Sequence, residues 1–130
     1  MVDSPQYWVV GATLSGASAV VKPFVRRGYW QLGNNSKAKT DILYMDRLSK
    51  INVGDRIALK SLVGKGSALI KVHAIGVVEE VVISERRVYV HWKSTEMARD
   101  VDMNGCIDAI NSPYLLDGKS REWVNDIFRI

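Results

Sequence analysis

Cysteine occurs once in the 130 residues, at Cys106. A single thiol forms no intramolecular disulfide and leaves no thiolate cluster for structural zinc, which points to a reducing compartment. No apolar run approaches the ~20 residues of a bilayer-spanning helix. The start Met1-Val2-Asp3-Ser4-Pro5 lacks the basic-then-apolar order of a secretory signal. The expectation is a cytoplasmic chain without a membrane partner. HxxxH, CxxC and GxSxG spacings are also missing, so His73 and His91 have no ready-made ligand or nucleophile partner. Gly64-Lys65-Gly66 lacks the length and the Ser/Thr of a P-loop and reads as a tight turn carrying a lysine. Asp100-Val101-Asp102 offers two carboxylates without the rest of a nuclease constellation, and reads as a solvated turn. These absences argue for a binding module with no catalytic residue, no metal and no cofactor. No repeat, low-complexity segment or internal boundary divides residues 1–130, so they read as one domain, long enough to bury roughly two-thirds of its unfolded surface.

What is present is an uneven charge. Residues 1–65 hold ten Lys/Arg against four acids, and residues 66–130 hold eight against ten, so a net +4 conceals a basic first half. That excess suits either a polyanion such as nucleic acid or a solvated face. Four tryptophans are many for a chain with two phenylalanines. Trp123 reads as core. Trp30 follows a Gly28-Tyr29 corner after Arg26-Arg27 and precedes a polar basic loop, so it is expected half-exposed at a pocket mouth.

Tyr7 to Ala12 reads as a strand buried on both sides. Pro23 is expected to open a short helix, Phe24 to Arg27, ended by Gly28. Leu32 to Thr40 reads as loop, and Asp41 as the cap of a helix over Ile42 to Leu48. After the Gly54-Asp55 turn, in which Asp55 is structural, Ile57 and Leu59 share one face of a strand while Arg56, Ala58 and Lys60 take the other. Ala68 to Val78 reads as a central strand bent at Gly76, and Arg87 to Trp92 as a third. Lys93 to Asp102 is irregular, Cys106 to Ile110 a possible last strand, and Ser120 starts a helix with Trp123, Val124, Ile127 and Phe128 on one stripe.

The blocks Tyr7–Ala12, Phe24–Trp30, Gly54–Ser61, Ala74–Val78 and Val88–Trp92, in that order, resemble the EVE/YTH-like branch of the PUA superfamily, in particular the domains at the N-terminus of McrB-type modification-dependent restriction proteins. The resemblance spans residues 7 to 92. It implies an α+β fold, a small curled PUA-like β-barrel with flanking helices. It also implies a module that flips a modified DNA base into an aromatic pocket and serves a fused or associated NTPase or nuclease. The stacking role falls on Trp30. Ala12, Thr13 and Leu14, with Lys60, Ser61 and Leu62, hold the positions for edge hydrogen bonds, beside Tyr29. Trp92 is either another wall or core. Arg26, Arg27, Lys37, Lys39 and Lys65 are the expected phosphate contacts. A modified-RNA reader, an ASCH-like enzyme acting on RNA or nucleosides and a protein-interaction domain are the alternatives.

Overall fold

A computed structural model describes residues 5–11, 17–33, 37–63, 66–105, 108–111, 114 and 120–129, with residues 17–20 described by backbone alone. Its elements are β1 (Tyr7–Gly11), α1 (Ala17–Arg27), β2 (Tyr29–Gln31), α2 (Ala38–Leu48), β3 (Arg56–Leu62), β4 (Leu69–Val82), β5 (Arg87–Ser94), β6 (Arg99–Asp102) and α3 (Arg121–Phe128). The strands form one mixed sheet in the order β1-β3-β4-β5-β2, with β6 pairing β4 off this path. β1 runs parallel to β3, and the other pairs are antiparallel.

Both faces of the sheet are covered. On one, Ile57 and Leu59 of β3 join Trp8, Val10, Trp30 and Val88 in a core closed by Phe24 of α1 and by Tyr44 and Leu48 of α2. On the other, Val9, Ala58, Ile70, Val72 and Val101 pack under Trp123, Val124 and Ile127 of α3. Ala58 therefore faces a second core. The expected alternation of faces holds for Ile57, Ala58 and Leu59, and the face opposite Ile57 and Leu59 is covered at Ala58 while Arg56 stays half-exposed.

The sheet is bent by bulges. Leu59 pairs with Ala74 and Lys60 with Val72, which leaves His73 as an extra residue in β4. Ile75 pairs with Ser94 and Gly76 with Trp92, which leaves Lys93 as an extra residue in β5. An extra residue bends its strand and re-aims its side chain. At Gly76 the backbones come so close that a Cβ would sit 2.5 Å from the His91 carbonyl oxygen, so only glycine fits the bend.

All four indole N–H groups pin separate elements together. Trp8 Nε1 donates to Asp55 Oδ2 (2.9 Å), Trp30 Nε1 to Gly11 O (3.0 Å), Trp92 Nε1 to Phe24 O (3.1 Å) and Trp123 Nε1 to Asp102 O (2.7 Å). A buried tryptophan combines large apolar area with one donor that must be satisfied, and here that donor ties β1 to the turn before β3, β2 to β1, β5 to α1 and α3 to β6. The Trp30 bond spans the two outer strands of the sheet path, which no ladder joins among the described residues. Asp55 also accepts from the Gln6 and Asn52 amides, in keeping with its structural reading.

Several boundaries differ from expectation. α1 starts at Ala17 with Pro23 inside it, and α2 starts at Ala38 with Asp41 in its first turn. Asp100-Val101-Asp102 belongs to β6, where Val101 is buried between two exposed acids. Of the expected last strand, Ile110 makes an isolated bridge to Val10, while Cys106 lies outside the described residues. Among those residues, no helix is long and apolar enough to cross a membrane.

Candidate nucleic-acid interface

Trp30 is 1% exposed. Its ring lies in the core with Trp8, Leu32 and Val88, so it presents no face to a base. The expectation of a half-exposed stacking platform is corrected: the indole N–H is held by the last carbonyl of β1, which draws the ring inward. Lys60 is 0% exposed, with Nζ donating to Asp108 O at 3.0 Å. It therefore joins β3 to the 108–111 segment and does not reach a base edge.

Tyr29 meets Phe24 at a tilt and Tyr89 edge to face, and the Arg87 guanidinium sits 4.1 Å above its ring. Trp92 is half-buried and packs against the first core. Leu62 is 46% exposed. Ala12, Thr13, Leu14 and Lys65 lie outside the described residues. Arg26, Arg27, Lys37 and Lys39 are all exposed.

Two of the expected residues converge on one place. Ser61 Oγ lies 2.7 Å from His73 Nε2, and His73 lines a cleft of about 410 Å3 together with Val21, Lys22, Val25, Arg26 and Met97. Val21 and Val25, like Lys22 and Arg26, are spaced i, i+4, so one face of α1 supplies both the apolar lining and the two cations. The opposite side comes from the β5–β6 connection, Thr95, Glu96 and Met97. That connection folds back because Glu96 takes the left-handed conformation, φ 55°, and the Met97 amide donates to His73 O at 3.0 Å. The volume falls within the range of ligand clefts.

Burial, and then the neighbouring Lys71 cation, holds His73 below its ordinary value, so the imidazole is neutral at pH 7. With Nε2 engaged by Ser61, the second ring nitrogen has no partner among the described residues. It is a donor if Nε2 accepts and an acceptor if Nε2 donates. Cleft and bulge thus give a half-buried polar atom, three apolar side chains and two exposed cations within one concavity. No group of three or more His, Cys, Asp or Glu among the described residues is placed to hold a metal.

Analysis of the sequence missed His73, Lys22, Val21, Val25 and Met97. The i, i+4 pairs on α1 were readable once the helix is extended back past Pro23. The outward turn of His73 was not, because it depends on a bulge set by two strands.

No family model matches the chain, and no curated protein sequence matches it. Among solved structures it is similar to the YTH domain of the Zygosaccharomyces rouxii MRB1 protein in complex with N6-methyladenosine RNA, at 16% identity and a TM-score of 0.38, over 81% of this chain and 68% of that one. A likeness of that size places neither fold nor ligand, and the functional reading rests on the residues of this chain.

Proposed function

We propose that the protein is a non-enzymatic nucleic-acid-binding module that accepts one modified base, turned out of its strand, in the cleft beside α1. The observation that carries this reading is the meeting of Lys22 and Arg26 with the apolar Val21, Val25 and Met97 around His73, itself bonded to Ser61. Cations reach phosphates, a neutral imidazole reads a polar base edge, and aliphatic side chains receive a methyl group. A methyl contributes about 0.8 kcal/mol and extruding a base costs a few kcal/mol. Selectivity must therefore also draw on the half-buried His73 nitrogen, which a mismatched edge would cover and leave unpaired.

DNA is the first ligand to test, as the resemblance to McrB-type domains implies, with a fused or associated NTPase or nuclease acting on what the module binds. Modified RNA is the alternative that the same experiment decides. Fluorescence anisotropy of DNA and RNA strands, single and duplex, carrying 5-methylcytosine, 5-hydroxymethylcytosine, N6-methyladenine or no mark should show salt-dependent binding with one mark preferred. His73→Ala should erase that preference. Equal binding of every strand by wild type and variant, or no binding at all, refutes the reading.

A further inference from the structure

A second cleft, of about 400 Å3, opens on the α3 side of the sheet and is lined by Tyr7, Arg56, Lys93, Asn125, Phe128 and Arg129, among others. Three of these are cations drawn from three elements or their ends, and none of the described lining residues is acidic. None of the three cations forms an ion pair with a carboxylate among the described residues. Arg56 does donate to Gly54 O, which fixes its side chain near the β3 start. Lys93 is the extra residue of the β5 bulge, so the same irregularity that bends the strand aims an ammonium group into the cleft.

The end of α3 would ordinarily oppose an anion, since helix C-termini carry partial negative charge. Here Arg99 Nη1 donates to the carbonyls of Asp126 (3.4 Å), Ile127 (2.9 Å) and Arg129 (2.6 Å). One guanidinium thus neutralises the terminal carbonyls and leaves the cleft positive. Asp126 is exposed on α3 and is not part of the lining. In the same lining, the Tyr7 and Phe128 rings meet edge to face, centroids 5.0 Å apart, and Asn125 is exposed.

We propose that this cleft binds a nucleotide phosphomonoester, with the phosphate among Arg56, Lys93 and Arg129 and the base against Phe128 with its edge on Asn125. A dianionic phosphate matches three unpaired cations. An aromatic wall beside an amide side chain suits a nucleobase better than the extended backbone of an acidic peptide. The site shares no described lining residue with the α1-side cleft. The phosphomonoester has two possible sources, a free nucleotide or the 5′-terminal nucleotide of a strand.

The test follows amide NMR shifts of the whole chain as AMP, adenosine, inorganic phosphate, and 5′-phosphorylated and 5′-hydroxyl oligonucleotides are added at up to millimolar concentration. AMP should move the amides of Lys93, Asn125, Phe128 and Arg129 and bind more tightly than adenosine or phosphate alone. Lys93→Glu with Arg129→Glu, both exposed positions, should weaken AMP about tenfold or more, and Lys22→Glu with Arg26→Glu should leave it unchanged. A 5′-phosphorylated strand that displaces AMP, where the 5′-hydroxyl strand does not, assigns the ligand to strand ends; AMP binding without such displacement assigns it to free nucleotide. No shift at these amides, equal affinity for adenosine and AMP, or undiminished AMP binding by the Lys93/Arg129 variant overturns the proposal. Each of those failures leaves the reader function to be judged on its own variants.

Discussion

The two clefts are close to equal in volume, and each is lined by the extra residue of a β-bulge, His73 on the α1 side and Lys93 on the α3 side. Their chemistry differs. The α1-side cleft has a neutral imidazole, aliphatic side chains and two cations, with Glu96 also in its lining. The α3-side cleft has three cations, an aromatic pair and no acid among its described lining residues. One device, a bulge, thus aims a neutral imidazole into one cleft and a charge into the other. The former suits discrimination among bases, and the latter suits capture of an anion.

Substitutions separate the frame that both clefts share from what each does alone. The largest effect is expected at Trp30, which belongs to the frame. Trp30→Ala should cost about 3–5 kcal/mol in urea denaturation, as for other buried large-to-small changes, and should disturb both clefts together. Trp30→Phe keeps most of the bulk but loses the bond to Gly11 O, and should cost about 1 kcal/mol with oligonucleotide affinity unchanged. Loss of affinity at unaltered stability would instead mean that the indole does stack on a base.

Next comes a change confined to one side. Lys22→Glu with Arg26→Glu should weaken oligonucleotide binding at least about tenfold and reduce the slope of log affinity against log salt by about 1.4–1.8, the share of two phosphate contacts. An unchanged slope would remove these cations from the interface.

A smaller effect concerns pH. The folded His73 pKa lies below the ordinary 6.5 because of burial and then Lys71, so the unfolded chain binds this proton more readily than the folded one. The stability tied to neutral His73 is complete above pH 6.5 and is lost as pH falls from there through the folded value. His73→Gln should flatten that part of the stability–pH curve, measured by denaturant midpoints. A curve identical to wild type would show that His73 titrates as it does in the unfolded chain. The smallest effect is expected from Glu96→Asn, which removes a carboxylate from the cleft lining at a left-handed position that asparagine tolerates. Oligonucleotide affinity should rise about twofold; a fall would mean that the carboxylate itself contacts the ligand.

These effects also mark what was legible in the sequence. The alternation of Ile57 and Leu59, the bend at Gly76, the stripe of α3 and the role of Asp55 were readable because each rests on local periodicity or turn chemistry. Ala58 was put on the right face, but nothing local says that a second layer covers that face. Val101 was overlooked because three residues of alternation are too few to distinguish strand from turn. Pro23 misled in another way: its missing N–H favours a first turn, yet Val21, Phe24 and Val25 bury against the core, and that packing carries the helix through it. For the site, the basic end of α1 and Ser61 were visible, whereas His73 depends on a bulge and the sealing of Trp30 on a carbonyl nineteen residues away.

The central claim, that a modified base enters beside His73, is tested most directly by mapping amide shifts on the intact protein during titration with a modified and a plain strand of the same sequence. The account predicts that the modified strand moves the amides of Val21, Lys22, Phe24–Arg26, Ser61, His73 and Thr95–Met97, and that the plain strand moves only the amides near Lys22 and Arg26. Identical maps for the two strands, or shifts that leave Ser61 and His73 untouched, would contradict it.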